Sequence, residues 1–408
     1  MRLNVKRNTI LLAAALAVNS CLFQLAAAVN SITFVQITGI EGLLGLGPAI
    51  FLASSGLAAL PAGRAMDHFG RVPVIAAGFV IASVGCSLVA LATRTGSTAV
   101  VITGMALTGA AGGVALLART AAGDMYPPAR RARGIAYVLF GSVFGAILGP
   151  AVFAPLFAGK ELEPEALTLP WLVAAGLALV ACAISLTIRP DPKRIAEELG
   201  THAGAPPPTA AAPLSEIVRR PGVVPALIAA VASLAVMASV MNLTGYVVVE
   251  HHHQAQEDVF PIIGAHVLGM YALVLFVGPL IDRIGRGVSL YSGLVLMAFS
   301  CIGLTWFESV LGTAVLLFGL GLGWNLSFVA ATAQLADCAA PAERGKLLGF
   351  SDLLSALTAA ALALLGGLAL DALGVSALAI GSTVLVLLPL VRLIRRQQPP
   401  ATIAARRT

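Results

Sequence analysis

A few polar residues stand inside otherwise apolar stretches, and their types limit the chemistry they can do. His266 lies twelve residues before Gly278, within the apolar run 259–281. An imidazole titrates near neutral pH, so it could carry a proton or contact a solute, or simply be a neutral ring bonded to a neighbouring helix. Asn19 is twelve residues past Arg7, and Asn325 is twelve residues before Asp337. At about 1.5 Å per helical residue, each lies roughly 18 Å in from its charged end. Gln24 accompanies Asn19, Trp324 adjoins Asn325, and Gly112 falls at comparable depth in another run. Amides and an indole recognise a solute by hydrogen bonds and stacking. Arg119 and Asp352 are the other charges within apolar runs, at shallower depth. Arg119 could bind a solute, join a charged gate, or pair or reach the surface. Asp352 could take a proton, bind a solute or join the same gate. Asn242 and Tyr246 stand near the far end of their run, where they could line a second gate.

His251-His252-His253, with Glu250, Glu257 and Asp258, form a polar cluster between two runs. Imidazoles and carboxylates could bind a transition metal. Consecutive histidines rarely converge on one ion, so a solvated loop is the stronger reading and no metal site is assigned. No nucleophile–base pair, phosphate loop or nucleotide motif stands out, so neither an enzyme nor a cofactor is expected.

The elements that must position these residues are membrane spans. Of 408 residues, 58% are hydrophobic and 11% are charged, and the mean hydropathy is +0.94. A soluble domain carries about 25% charged residues. The apolar runs are about 20 residues long, enough to cross a bilayer as a helix. Twelve are predicted, at 9–32, 43–65, 73–93, 98–121, 134–157, 169–188, 223–248, 259–281, 288–307, 310–333, 346–370 and 374–393. The first could be mistaken for a secretory signal, but it is longer than a signal core. Strands are excluded because the runs lack alternation. Five scattered cysteines predict no disulfide framework.

On this topology 22 of the 25 lysines and arginines fall on one face. The exceptions are Arg94, Lys160 and the intramembrane Arg119. The positive-inside rule then places both termini in the cytoplasm, in a plasma or bacterial inner membrane. The pI of 9.3 reflects the same bias, and nothing points to nucleic acid. The bilayer is the expected environment and a monomer the expected state.

The hydrophilic stretch from Arg189 to Arg220, with Pro206-Pro207-Pro208, reads as a flexible linker dividing the spans six and six. The two sides match. Gly63, Asp67, Gly70 and Arg71 follow the second span, and Gly278, Asp282, Gly285 and Arg286 follow the eighth, 215 residues on. Asp124 and Arg131 follow the fourth span, and Asp337 and Arg344 the tenth, 213 residues on. Asp67 ends a helix, where the dipole disfavours an anion, so it needs a partner. Arg71 is expected to pair with Asp124, and Arg286 with Asp337.

These repeated motifs, the span count and the central loop resemble the major facilitator superfamily over essentially the whole chain. The resemblance implies an all-α membrane protein of twelve helices in two six-helix bundles related by a pseudo-two-fold axis. The bundles would be 1–190 and 221–396, joined by a linker at 191–220 and followed by a tail at 397–408. They would rock about a cavity lined by the first, fourth, seventh and tenth helices, with the charged loops as a conformational gate. Gly141, Gly145 and Gly149 recur every four residues in the fifth span, followed by Pro150. This glycine stripe suits close helix packing, and the proline is expected to kink the helix. It resembles the fifth-helix signature of proton-coupled exporters in the superfamily. Those exporters carry an arginine in the fourth helix where this chain has Met105. The implied function is proton-coupled efflux of a small amphiphilic compound. The alternatives are a symporter or facilitator for a polar solute and, less well supported, a metal transporter.

Overall fold

A computed structural model describes residues 4–127, 130–160, 163–203, 212–339 and 343–397. Among these residues there is no strand. Eleven helices are long and apolar enough to cross a membrane. The twelfth span, Val375–Gln397, is 23 residues long. The first six spans are Val5–Thr38, Leu46–Phe69, Arg71–Thr95, Thr98–Leu116 continued by Ala118–Asp124, Arg131–Phe157 and Pro164–Leu186. The last six begin with Val223–Tyr246 and Gln256–Tyr271, the latter continued by Val274–Ile284. Arg286–Gly303, Val310–Asp337, Arg344–Leu373 and Val375–Gln397 complete the set. Large apolar side chains such as Phe69, Phe144, Phe276, Phe299 and Leu311 are exposed on the outside. Lipid tails, as apolar as the side chains themselves, are the environment that tolerates them.

Glycine governs how the spans meet, and it does so the same way in both halves. A Cβ at Gly109 of the fourth span would lie 2.1 Å from the Phe51 carbonyl oxygen of the second. A Cβ at Gly321 of the tenth would lie 2.4 Å from the His266 carbonyl oxygen of the eighth. Phe51 and His266 are the same repeat position, 215 residues apart. Gly104 meets Gly85 across the third and fourth spans as Gly323 meets Gly293 across the ninth and tenth. Only a missing side chain permits backbones to approach so closely.

Between the halves three seams close. The first span meets the seventh, the second meets the eleventh, and the fifth meets the eighth. The seams are unequal along their length. On the first span every residue from Gln24 to Phe34 is buried, and on the seventh every residue from Ala235 to Gly245. These stretches lie towards the face opposite the basic one. Towards the basic face Val18, Asn19, Leu22 and Phe23 are partly exposed. The bundle is sealed on one side and looser on the other.

One expectation needs correction. The stretch after the sixth span is not a loose linker throughout, because Pro192–Ala203 and Leu214–Val218 are helical. Ile195 and Ile217 are fully buried against the bundle, so burial orders the segments. The prolines at 206–208 lie outside the described residues, as does the tail from 398. The fifth span is helical on both sides of Pro150. Packing against its neighbours supports the helix there.

Candidate functional site

The charged loops form as their spacing predicts. Arg71 donates from Nε to Asp124 Oδ2 at 2.8 Å. Arg286 pairs with Asp337 in the second half. The first pair has a support that sequence reasoning missed. Asp191 accepts from the backbone N–H of Arg71 at 3.1 Å and of Val72 at 2.9 Å. It caps the N-terminus of the third span, where orphan N–H groups and the helix dipole favour an anion. Gly70 has φ 101° and packs on that carboxylate. Gly285 has φ 87°, with open space around it. The side chains of Asp67, Arg131, Asp282 and Arg344, and the surroundings of Gly278, lie outside the described part. Gly63 has no close neighbour.

A second missed group anchors the end of the linker. Glu343, 5% exposed, accepts from both Nη atoms of Arg220, at 2.6 and 3.0 Å. The hydrogen bond to Glu343 and the attraction of Glu343 and Glu216 raise the Arg220 pKa. The position matching Glu343 in the first repeat is Arg130, so no repeat signal could have marked it.

Arg119 and Asp352, left unpaired by sequence, meet across the two halves. Arg119 Nη2 donates to Asp352 Oδ2 at 2.5 Å, from the fourth span to the eleventh. The fourth span breaks at Leu117, whose N–H bonds the Val114 carbonyl at 3.0 Å. Arg119 follows directly on this tightened turn. The two side chains keep 35% and 37% of their surface accessible, so the pair faces an opening.

The eighth span breaks too, between Tyr271 and Val274. A break frees carbonyls at the end of a helical segment. Asn325 Nδ2 donates to one of them, the Met270 oxygen. Beside it the Trp324 ring stacks on Phe328 at 5.1 Å and meets Tyr271 edge-on at 6.2 Å. Tyr271 is also within electrostatic reach of Arg119. The Tyr271, Trp324 and Phe328 rings thus pack together beside the break. Trp324 Nε1 and Asn325 Oδ1 are buried without a partner among the described residues.

The remaining candidates disperse. His266 has no exposed surface, and its Nδ1 donates to the Leu317 carbonyl at 2.8 Å. Its Nε2 is then an unpartnered acceptor, sealed between the eighth and tenth spans. Gln24 is fully buried, and its Nε2 donates to the Gly145 carbonyl at 2.5 Å. Gly149 makes room for its amide, while Gly141 and Gly145 pack on Ala13 and Ala17. The glycine stripe therefore seats the fifth span on the first. Met105 is fully buried and packs near Gly47. Asn19 is partly exposed, and Gly112 faces the Phe51 ring. Asn242 lies in the sealed seam, where its carbonyl accepts from Ser31 Oγ at 3.5 Å. Tyr246 is half-buried, its ring 6.0 Å from that of His251. Among the described residues no three His, Cys, Asp or Glu side chains group closely enough to hold a metal.

Twelve spans in two related halves, joined by a partly accessible ion pair, define a multi-pass membrane transporter. The family model described as the Major Facilitator Superfamily matches residues 12–324 and 253–407, and the chain belongs to that superfamily. The chain is 29% identical to the riboflavin transporter RfnT of Brucella anthropi over 98% of both chains. It is 30% identical to the uncharacterised MFS-type transporter YdeG of Bacillus subtilis, covering 89% of this chain and 86% of that one. Among solved structures, the inward-open xylose transporter XylE of E. coli matches with a TM-score of 0.69 at 12% identity, covering 95% of each chain. That last likeness concerns the fold alone.

Proposed function

We propose that this protein moves a small, flat, amphiphilic solute by alternating access, coupled to protons, with Asp352 as the proton-accepting group. The observation that carries the reading is the Arg119–Asp352 pair. It links the two halves, it is reachable from one side, and it changes charge when Asp352 is protonated. With the basic face and both termini in the cytoplasm, the sealed seam is external and the described state faces inward. The bundles 1–190 and 221–396 then rock as units, and the paired loop motifs latch their cytoplasmic ends. The aromatic wall of Trp324, Phe328 and Tyr271 supports a stacking solute, as does the riboflavin named for the Brucella relative. A monomer suffices, because both halves of the site come from one chain.

Two directions follow from different observations. The glycine–proline fifth span supports export in exchange for protons. Its glycines are, however, fully used in seating the span on the first helix. The ion pair favours the second reading, movement of proton and solute together. Transport of labelled riboflavin and a panel of flat aromatics into proteoliposomes under an imposed pH gradient tests both. Uptake driven by protons moving the same way supports symport, and uptake against them supports exchange. Asp352→Asn is expected to leave transport insensitive to the gradient. Unchanged gradient dependence in that variant would sink the assignment of Asp352.

A further inference from the structure

The Arg119–Asp352 pair also restricts what the solute is, and this inference rests on the reading of that pair as part of the transport site. We propose that the solute carries an anionic group, a carboxylate or phosphate on an aromatic ring, which displaces Asp352 from Arg119 as Asp352 takes up a proton.

The contact is end-on: one Nη of Arg119 meets one oxygen of Asp352. Asp352 is the only hydrogen-bond partner of Arg119 among the described residues. Most donors of the guanidinium are thus unused, although its planar fork suits two-point binding of a carboxylate or phosphate. A cation within a span is costly unless it is paired or serves a ligand. Asp352 occupies part of the fork, where a stronger two-point anion could sit.

Charge balance selects the protonation state. The pair as it stands is neutral. An anion on Arg119 beside an ionised Asp352 would leave one uncompensated negative charge to be enclosed between the halves. Protonation at Asp352 Oδ2 removes it, breaks the ion pair with Arg119 and restores neutrality. Closing a site over a net charge in a low-dielectric interior is unfavourable, so proton and anion are taken together. Tyr271 lies within electrostatic reach of Arg119. His266 is turned to Leu317 and sealed.

The remainder of the solute is indicated by what adjoins the fork. Tyr271, within electrostatic reach of Arg119, meets the Trp324–Phe328 stack edge-on. The Trp324 indole N–H, on a side chain only 8% exposed, has no acceptor among the described residues. A ring stacked on this wall places a substituent towards Arg119 and an acceptor near the indole.

Binding to the full chain in lipid nanodiscs tests this. The probes are 2-naphthoate, indole-3-acetate and naphthyl phosphate, each beside its neutral amide or alcohol. In the wild type, anions are expected to bind about tenfold more tightly than their neutral partners. Asp352→Asn, which mimics the protonated acid and leaves the fork free, should bind the anions more tightly than the wild type does. Arg119→Gln should lose the anion preference while still binding the neutral probes. Equal binding of anions and neutral partners in the wild type would overturn the inference, as would failure of every anion to bind. If that occurs while Asp352→Asn still abolishes gradient-driven transport, the coupling role stands and only the substrate class falls. Anion binding that tightens in Asp352→Asn, alongside transport that ignores the gradient, would keep the substrate class and remove the coupling role.

Discussion

Gly245 is the position where one added methyl group should change the conformation and leave the fold intact. It lies in the seventh span against the first, and a Cβ there would sit 2.1 Å from the Ala28 carbonyl oxygen and 2.8 Å from its carbon. Carbon contacts become favourable at about 3.5–4.0 Å, so the two spans must part by roughly 1 Å. Overpacking of this kind costs about 1–3 kcal/mol. Here the strain is relieved if the halves separate on the sealed face, because the two spans belong to different halves. Gly245→Ala should therefore shift the population towards the state open on that face by about 5- to 150-fold. The comparison is Gly269→Ala. A Cβ there would lie 2.2 Å from the Phe318 carbonyl oxygen, an equally severe clash. The eighth and tenth spans belong to the same half, so rocking cannot relieve it, and the variant should lose thermal stability. Spin-label distances between the sealed-face ends of the first and seventh spans, with melting curves for both variants, provide the assay. Equal destabilisation of the two, with no lengthening of the distance in Gly245→Ala, would refute the reasoning.

Asp191→Ala should remove the cap on the third span and cost about 0.5–2 kcal/mol, read as a lower melting temperature. Asp191→Asn should restore most of the loss, because an amide oxygen still accepts from the backbone. Burial lowers the His252 pKa, with partial opposition from Glu308. The unfolded chain then holds the proton more readily than the folded one, so stability rises with pH through the window just below the ordinary histidine range. His252→Phe should flatten that slope, and an unchanged slope would reassign it. Asn325→Leu should leave the Met270 carbonyl unpaired at a cost of about 1–3 kcal/mol. Amide exchange should then be faster around the break in the eighth span, and unaltered exchange would mean that Asn325 does not hold it.

The residues do not all reveal themselves equally. Arg71–Asp124 and Arg286–Asp337 were legible because each belongs to a pair of loop motifs repeated at nearly one offset. Their partners adjoin along neighbouring spans of the same half. Arg119–Asp352 was not legible, since 233 residues separate the two and no repeat relates them. Asp191 was hidden in a stretch whose prolines and alanines read as linker, and Glu343 in the loop that packs against the end of that stretch. Burial of Ile195 and Ile217, with the Asp191 and Arg220 contacts, shows the stretch docked.

By itself the sequence determined the membrane environment, the twelve spans, the two-fold relation and the local charged loops. Those depend on hydrophobic length, charge and repetition along one dimension. Only the tertiary structure decided which way each polar side chain turns. In helices apolar on every side, spacing sets depth along the helix axis but not direction around it, because lipid and neighbouring helices are equally apolar. His266, Asn19 and Asn325 thus shared a depth, but one is sealed in a seam, one is partly exposed, and one holds a broken helix. The pair that joins the two halves depends on how the whole bundles meet, which no local pattern encodes.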